Sequence, residues 1–135
     1  MAITLEQIKK ESILGYTAYS GIELLEAENG HAFGRIRLQD HHRNPSGAVH
    51  GGVIFCLADV MGGTACRTLD ALPVTVSSTI SYMRPMLGGE VIYARADIIR
   101  RGKTTIFVEV RVLNDSMEET AMLQGTYYDM SSRQS

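Results

Sequence analysis

The sequence predicts an α+β domain in which one central helix is preceded and followed by antiparallel strands. Residues 50–66 make an apolar run of helical length, and the stretches on both sides alternate polar and apolar side chains with period two. Strands do not alternate with helices, as a parallel sheet requires. At 135 residues the chain fits one domain spanning 1–135, and no repeat, linker or low-complexity segment divides it.

The elements follow in order. Within residues 1–18, Thr4 can cap a peripheral helix whose approximate stripe is Leu5, Ile8, Ile13 and Leu14, running up to Gly15, with Glu6 early and Lys9 and Lys10 later. From Gly21 to Asp40 the period falls to two, and Asn29-Gly30 marks a hairpin turn. Asp40 to Gly47 is polar and turn-rich, a loop leading into the central helix. Leu69 to Leu72 form the exit loop before Pro73. Val74, Val76, Ser78, Ile80 and Tyr82 then alternate with Thr75, Ser77, Thr79, Ser81 and Met83, until Pro85 and Gly88-Gly89 break the strand. Val91–Ile99 and Thr104–Leu113 pair around Arg101-Gly102-Lys103, and a last strand runs from about Thr120 to Met130. Residues 131–135 read as a frayed polar tail.

The composition, 44% hydrophobic and 21% charged, is that of an ordinary folding chain. A formal net charge of −2 offers no global field for nucleic acid or anionic lipid, so neither is an expected partner. No apolar segment matches a signal peptide or the roughly 20 residues that span a bilayer, and a cytoplasmic location is expected. Cys56 and Cys66 lie about 15 Å apart along the helix at 1.5 Å per residue, too far to bridge, and read as reduced core thiols.

The central helix is apolar on almost every side, which marks it as buried, yet it carries Asp59. A buried carboxylate needs a hydrogen-bonded partner or a place in a cleft, and such groups cluster at functional sites. Periodicity alone leaves two readings open: Asp59 faces a polar seam or caps a backbone N–H, or it does chemistry. Gly51, Gly52, Gly62 and Gly63 lie in the same helix, each at a cost of about 1 kcal/mol relative to alanine. Close approach of another backbone or a ligand would account for them, although Gly51 and Gly52 also suit a first turn.

His42-x-Asn44-x-x-Gly47-x-x-His50-Gly51-Gly52, followed by Leu57-Ala58-Asp59, resembles the signature of the PaaI-like hotdog thioesterases. The resemblance continues through Val74-Thr75, Ile80-Ser81-Tyr82-Met83-x-Pro85, Gly89 and Arg101-Gly102-Lys103, and covers roughly residues 20–128. It implies a hotdog fold, an antiparallel sheet wrapped around a long helix, paired into homodimers with active sites at the subunit interface and often doubled into homotetramers. It also implies hydrolysis of acyl-CoA thioesters with no metal and no cofactor.

Mapped by position, Asp59 is similar to the family's general base or nucleophile, and Gly51 to the residue whose N–H polarises the thioester oxygen from a helix N-terminus. Asn44 matches the residue that orients water or thioester; the plainer reading is a turn residue before Pro45. Thr75 matches a hydroxyl that in relatives assists the carboxylate across the dimer interface; otherwise it belongs to a polar strand face. His50 and Gly52 adjoin the substrate position, although a structural hydrogen bond that shapes the helix entry is the better account of His50. Arg84, Arg100, Arg101 and Lys103 are cations suited to CoA phosphates, or a solvated basic surface. A metal site from His41, His42 and His50 is not expected, because no ligands recur at helical spacing. The competing function is a non-catalytic acyl-CoA-binding module; hydratase chemistry would call for a catalytic histidine that His50 does not match well.

Overall fold

A computed structural model describes residues 3–12 and 14–131. Ile13, counted above in the first stripe, and all of the tail except Ser131 lie outside the described residues.

The single N-terminal helix expected from the pattern is two short ones, α1 (Leu5–Ser12) and α2 (Gly15–Tyr19). Thr4 does cap α1, accepting from the Gln7 N–H at 3.2 Å while Gln7 Oε1 accepts from the Thr4 N–H at 2.7 Å. Gly15 separates the helices because its φ of +66° lies in the left-handed region, which the α1 helix cannot pass through. Ile8 anchors α1 in the core.

Strands β1 (Ile22–Glu28) and β2 (His31–Arg37) form the expected hairpin, with Asn29 and Gly30 both at positive φ as a two-residue turn requires. The central helix α3 (Gly51–Arg67) is followed by β3 (Pro73–Tyr82), β4 (Val91–Arg101), β5 (Thr105–Leu113) and β6 (Glu119–Asp129). All pairings are antiparallel, in the order β1-β2-β4-β5-β6-β3. The helix α3 packs on one face of this six-stranded sheet, the arrangement of a hotdog fold.

The core is the seam between them. Ile54, Leu57, Ala58, Met61, Ala65 and Cys66 of α3 meet Ile36, Ile92, Ala94, Val110 and Leu123 of the strands. The expectation that α3 is buried all round holds only for this side. Gly52 is exposed, and Val53, Phe55, Cys56, Asp59, Val60 and Gly63 are half-buried on the outward side. The apolar wheel therefore has two faces, and the outward one is covered only in part, with Val60 and Gly63 beside Ile8 and Thr17 of the N-terminal helices and Cys56 3.9 Å from Ser20.

Strand β3 is an edge, with Val74 50% and Val76 62% exposed. Its register against β6 slips between Thr75 and Ser77, so Val76 is an extra residue with no partner. This bulge corrects the strict alternation read from the sequence. Thr75 moves to the helix side with Ser78 and Ile80, and only Ser77, Thr79 and Ser81 keep the opposite face. Both cysteines are free, and burial pushes the Cys66 thiol up to about 12.

Candidate active site

The site begins where the polar loop enters α3. His42 is buried in that loop, its Nδ1 accepting from the Gln39 N–H at 2.9 Å and its Nε2 donating to the Ser20 carbonyl at 2.9 Å. Burial lowers its pKa, as do His41 and Arg43, against a smaller raising effect from the Ser20 carbonyl. Asn44 Oδ1 accepts from the Ser46 N–H, the Ser46 hydroxyl and the Ala48 N–H at 3.0, 2.7 and 3.1 Å. The amide therefore spends its acceptor on shaping the loop, and its Nδ2 is the donor left over.

His50 is the N-cap of α3. Its Nδ1 accepts from the Gly52 N–H at 2.9 Å, and its carbonyl accepts from Val53 and Ile54 at 2.9 and 3.2 Å. This is the structural bond at the helix entry, and it removes Gly52 from the available donors. Among the described residues no acceptor takes the Gly51 N–H, which leaves that single donor open at the positive end of the helix dipole. The Tyr82 hydroxyl donates to the Gly51 carbonyl at 2.7 Å. Asn44, Gly51, Ile54, Tyr82, Arg84 and Met86 line a cleft of about 350 Å³.

Asp59 lies on the outward side of α3, eight residues beyond Gly51, or about 12 Å along the axis at 1.5 Å per residue. Its Oδ1 accepts from Thr75 Oγ1 at 3.0 Å and from the Tyr127 hydroxyl at 3.0 Å. The same Tyr127 hydroxyl is 2.9 Å from the Asp59 carbonyl oxygen. Among the described residues no donor reaches Asp59 Oδ2. Within one chain the Val76 bulge turns Thr75 toward its own α3, where it reaches Asp59.

Tyr127 was absent from the residues expected at the site. It is buried on β6, and burial first, then the Asp59 carboxylate, drives its phenol far above the ordinary range, so it remains a donor. A signal for it existed in the sequence. An inward tyrosine needs a partner for its hydroxyl, and the glycines of α3 open a place for the ring. A Cβ on Gly62 would collide with the Tyr127 hydroxyl, which accounts for one of the costly helix glycines.

The thioesterase superfamily pattern matches residues 46–121, from the loop before α3 to the start of β6. The chain belongs to this superfamily, in its PaaI-like hotdog branch. PaaI of Escherichia coli, an acyl-coenzyme A thioesterase, is 27% identical over 105 residues, which are 78% of this chain and 75% of that one. Zebra fish thioesterase superfamily member 2 superposes with a TM-score of 0.85 at 26% identity, over 94% of this chain and 99% of its own. The smu.793 protein of Streptococcus mutans, bound to acetyl CoA, superposes with a TM-score of 0.77 at 28% identity, over 81% and 88% of the two chains. The protein is accordingly a thioester hydrolase.

In this thioesterase the expected cations divide into two groups. Arg101 donates to Asp129 at 2.6 Å, and Asp129 is only 2% exposed, so this guanidinium already holds a buried carboxylate of the fold. Arg84 pairs with Glu118 at 3.1 Å on the surface. Arg100 and Lys103 are exposed and, among the described residues, have no carboxylate within ion-pair distance. Among the described residues no three His, Cys, Asp or Glu side chains converge as a metal site, and no helix is long and apolar enough to cross a membrane.

Proposed function

We propose that this thioesterase hydrolyses an acyl-CoA to a carboxylic acid and free CoA, in a site assembled from two copies of the chain. The observation that carries this reading is the Asp59 carboxylate, held at Oδ1 by two hydroxyls and open at Oδ2 on the outward side of α3. The acyl-coenzyme A activity of PaaI and the acetyl CoA bound to the Streptococcus mutans neighbour support the substrate class.

Asp59 acts in one of two ways that give the same products. As a general base it takes a proton from water, whose oxygen attacks the thioester carbon; the C–S bond then breaks and CoA leaves with a recovered proton. As a nucleophile it forms an acyl anhydride with release of CoA, and water then cleaves that anhydride. In both routes negative charge builds on the carbonyl oxygen. The open Gly51 N–H, with Asn44 Nδ2 as second donor, is the group suited to receive it.

Within one chain Gly51 and Asp59 are about 12 Å apart along the helix, too far to act on the same carbonyl. A carbonyl held at Gly51 of one copy therefore meets Asp59 of another. The half-buried outward side of α3 and the exposed β3 edge supply the surfaces for such a homodimer. Arg100 and Lys103 are the cations available for CoA phosphates, with Arg84 at the rim of the cleft.

Thiol release over acetyl-, hexanoyl-, palmitoyl- and phenylacetyl-CoA, with wild type beside Asp59→Asn, tests this. The variant is expected to lose at least about a hundredfold in turnover. Full turnover by Asp59→Asn would overturn the mechanism, whereas tight binding with no turnover by the wild type would favour the binding-module reading.

A further inference from the structure

The two donors on Asp59 come from a single cross-strand pair. Thr75 of β3 and Tyr127 of β6 are register partners, and the unpartnered Val76 is what turns Thr75 to the same side as the Tyr127 ring. The ring lies over Gly62, one helical turn beyond Asp59, where any Cβ would meet the hydroxyl. The hydroxyl touches both the Asp59 main-chain oxygen and Oδ1, so it ties the carboxylate to its own helix as well as to the sheet. A carboxylate held this way has one rotamer and one free oxygen.

We propose that Tyr127 is a positioning residue which, together with Thr75, commits Oδ1 of Asp59 to protein donors and presents Oδ2 to the thioester or its water. This rests on the reading of Asp59 as the reacting carboxylate. Tyr127 touches no reacting atom; it acts through Asp59, and Gly62 is the space that lets it do so.

The titratable groups facing Asp59 are Tyr127 on β6 and Cys56 on its own helix, while β3 contributes the uncharged Thr75. Burial holds both the phenol and the Cys56 thiol in their protonated, neutral forms.

Tyr127→Phe removes the hydroxyl and keeps the ring, and Gly62→Ala keeps the hydroxyl and displaces it. With the acyl-CoA that the wild type turns over fastest among the four above, each variant is expected to lower kcat about tenfold, the scale of one hydrogen bond to a charged group. KM should change less than about twofold, since no substrate contact is lost. The double variant should be no slower than the slower single one, since both act through the same contact. If Tyr127→Phe loses its cooperative unfolding transition, Gly62→Ala carries the test alone. Unchanged kcat in both variants beside an inactive Asp59→Asn would overturn this proposal while leaving the carboxylate mechanism standing. Full turnover by Asp59→Asn would remove both.

Discussion

Asp129 shows how much one side chain can decide at a distance from the chemistry. Burial alone would raise its carboxyl, but hydrogen bonds from the Ser131 hydroxyl, the Leu72 N–H, Arg101 and the Ser131 N–H overcome this and hold it well below the ordinary range. The Leu72 bond fixes the entry to β3, three residues before Thr75. Asp129→Ala is expected to cost about 2 kcal/mol at neutral pH, as for hydrogen bonds to a charged group, read by urea unfolding. A depressed folded-state value stabilises above the unfolded value near 3.9 and is lost as pH falls. The variant and the wild type should therefore converge below about pH 4; a constant gap between pH 7 and pH 3 would refute the assignment. At this scale Asp59 stood out as a charge in an apolar helix, whereas Asn44 and Gly51 were singled out by the resemblance to the thioesterase signature. Tyr127 showed only as an inward tyrosine; its contact with Asp59 and the capture of Arg101 by Asp129 were not legible, because each is made by chain segments far apart in sequence.

Among the elements, the loop before α3 is held by His42, which joins Gln39 of the loop to Ser20 ahead of β1. The Gln39 N–H requires an unprotonated Nδ1, so protonation breaks one of the two bonds. The folded value is lowered, mainly by burial, so the unfolded chain takes up the proton first as pH falls past the ordinary value of 6.5. Stability is therefore expected to decline from about pH 6.5 downward, and His42→Gln to flatten that slope in thermal melts between pH 7 and pH 5.5. An unchanged slope in the variant would assign the decline to other groups. The hairpin at Asn29-Gly30 and the span of α3 were legible because turn chemistry and helical period are local. The bulge at Val76 was not, because it is defined by what β6 offers opposite it. The split at Gly15 had a visible cause, since a glycine that stops a helix can equally start the next one.

For the molecule as a whole, the wheel of α3 identified the helix as one buried on all sides, and the single chain buries one side and leaves the other half-buried. The remainder is the outward side bearing Phe55, Cys56, Asp59 and Val60, adjoining the edge strand β3. Light scattering is expected to give two or four times the chain mass of 14.8 kDa. Lysines at Val74 and Val76, both exposed in the single chain, place charge on the open edge, which opposes strand pairing. The double variant should fall to 14.8 kDa and lose thiol release while keeping its circular dichroism spectrum. A monomer with full turnover would exclude a shared site.

Because an alanine at 62 would strike the Tyr127 hydroxyl, the two positions cannot drift independently. A lineage that keeps the Tyr127 hydroxyl on Asp59 is expected to keep glycine at 62, although alanine would make the better helix. An alanine that arrives at 62 first moves the hydroxyl off Asp59, whereas one that arrives after 127 has lost its hydroxyl moves nothing the carboxylate uses. The ring that steadies the carboxylate thereby also holds a weak point in the middle of α3, and any homologue carrying alanine at 62 should carry a smaller residue at 127.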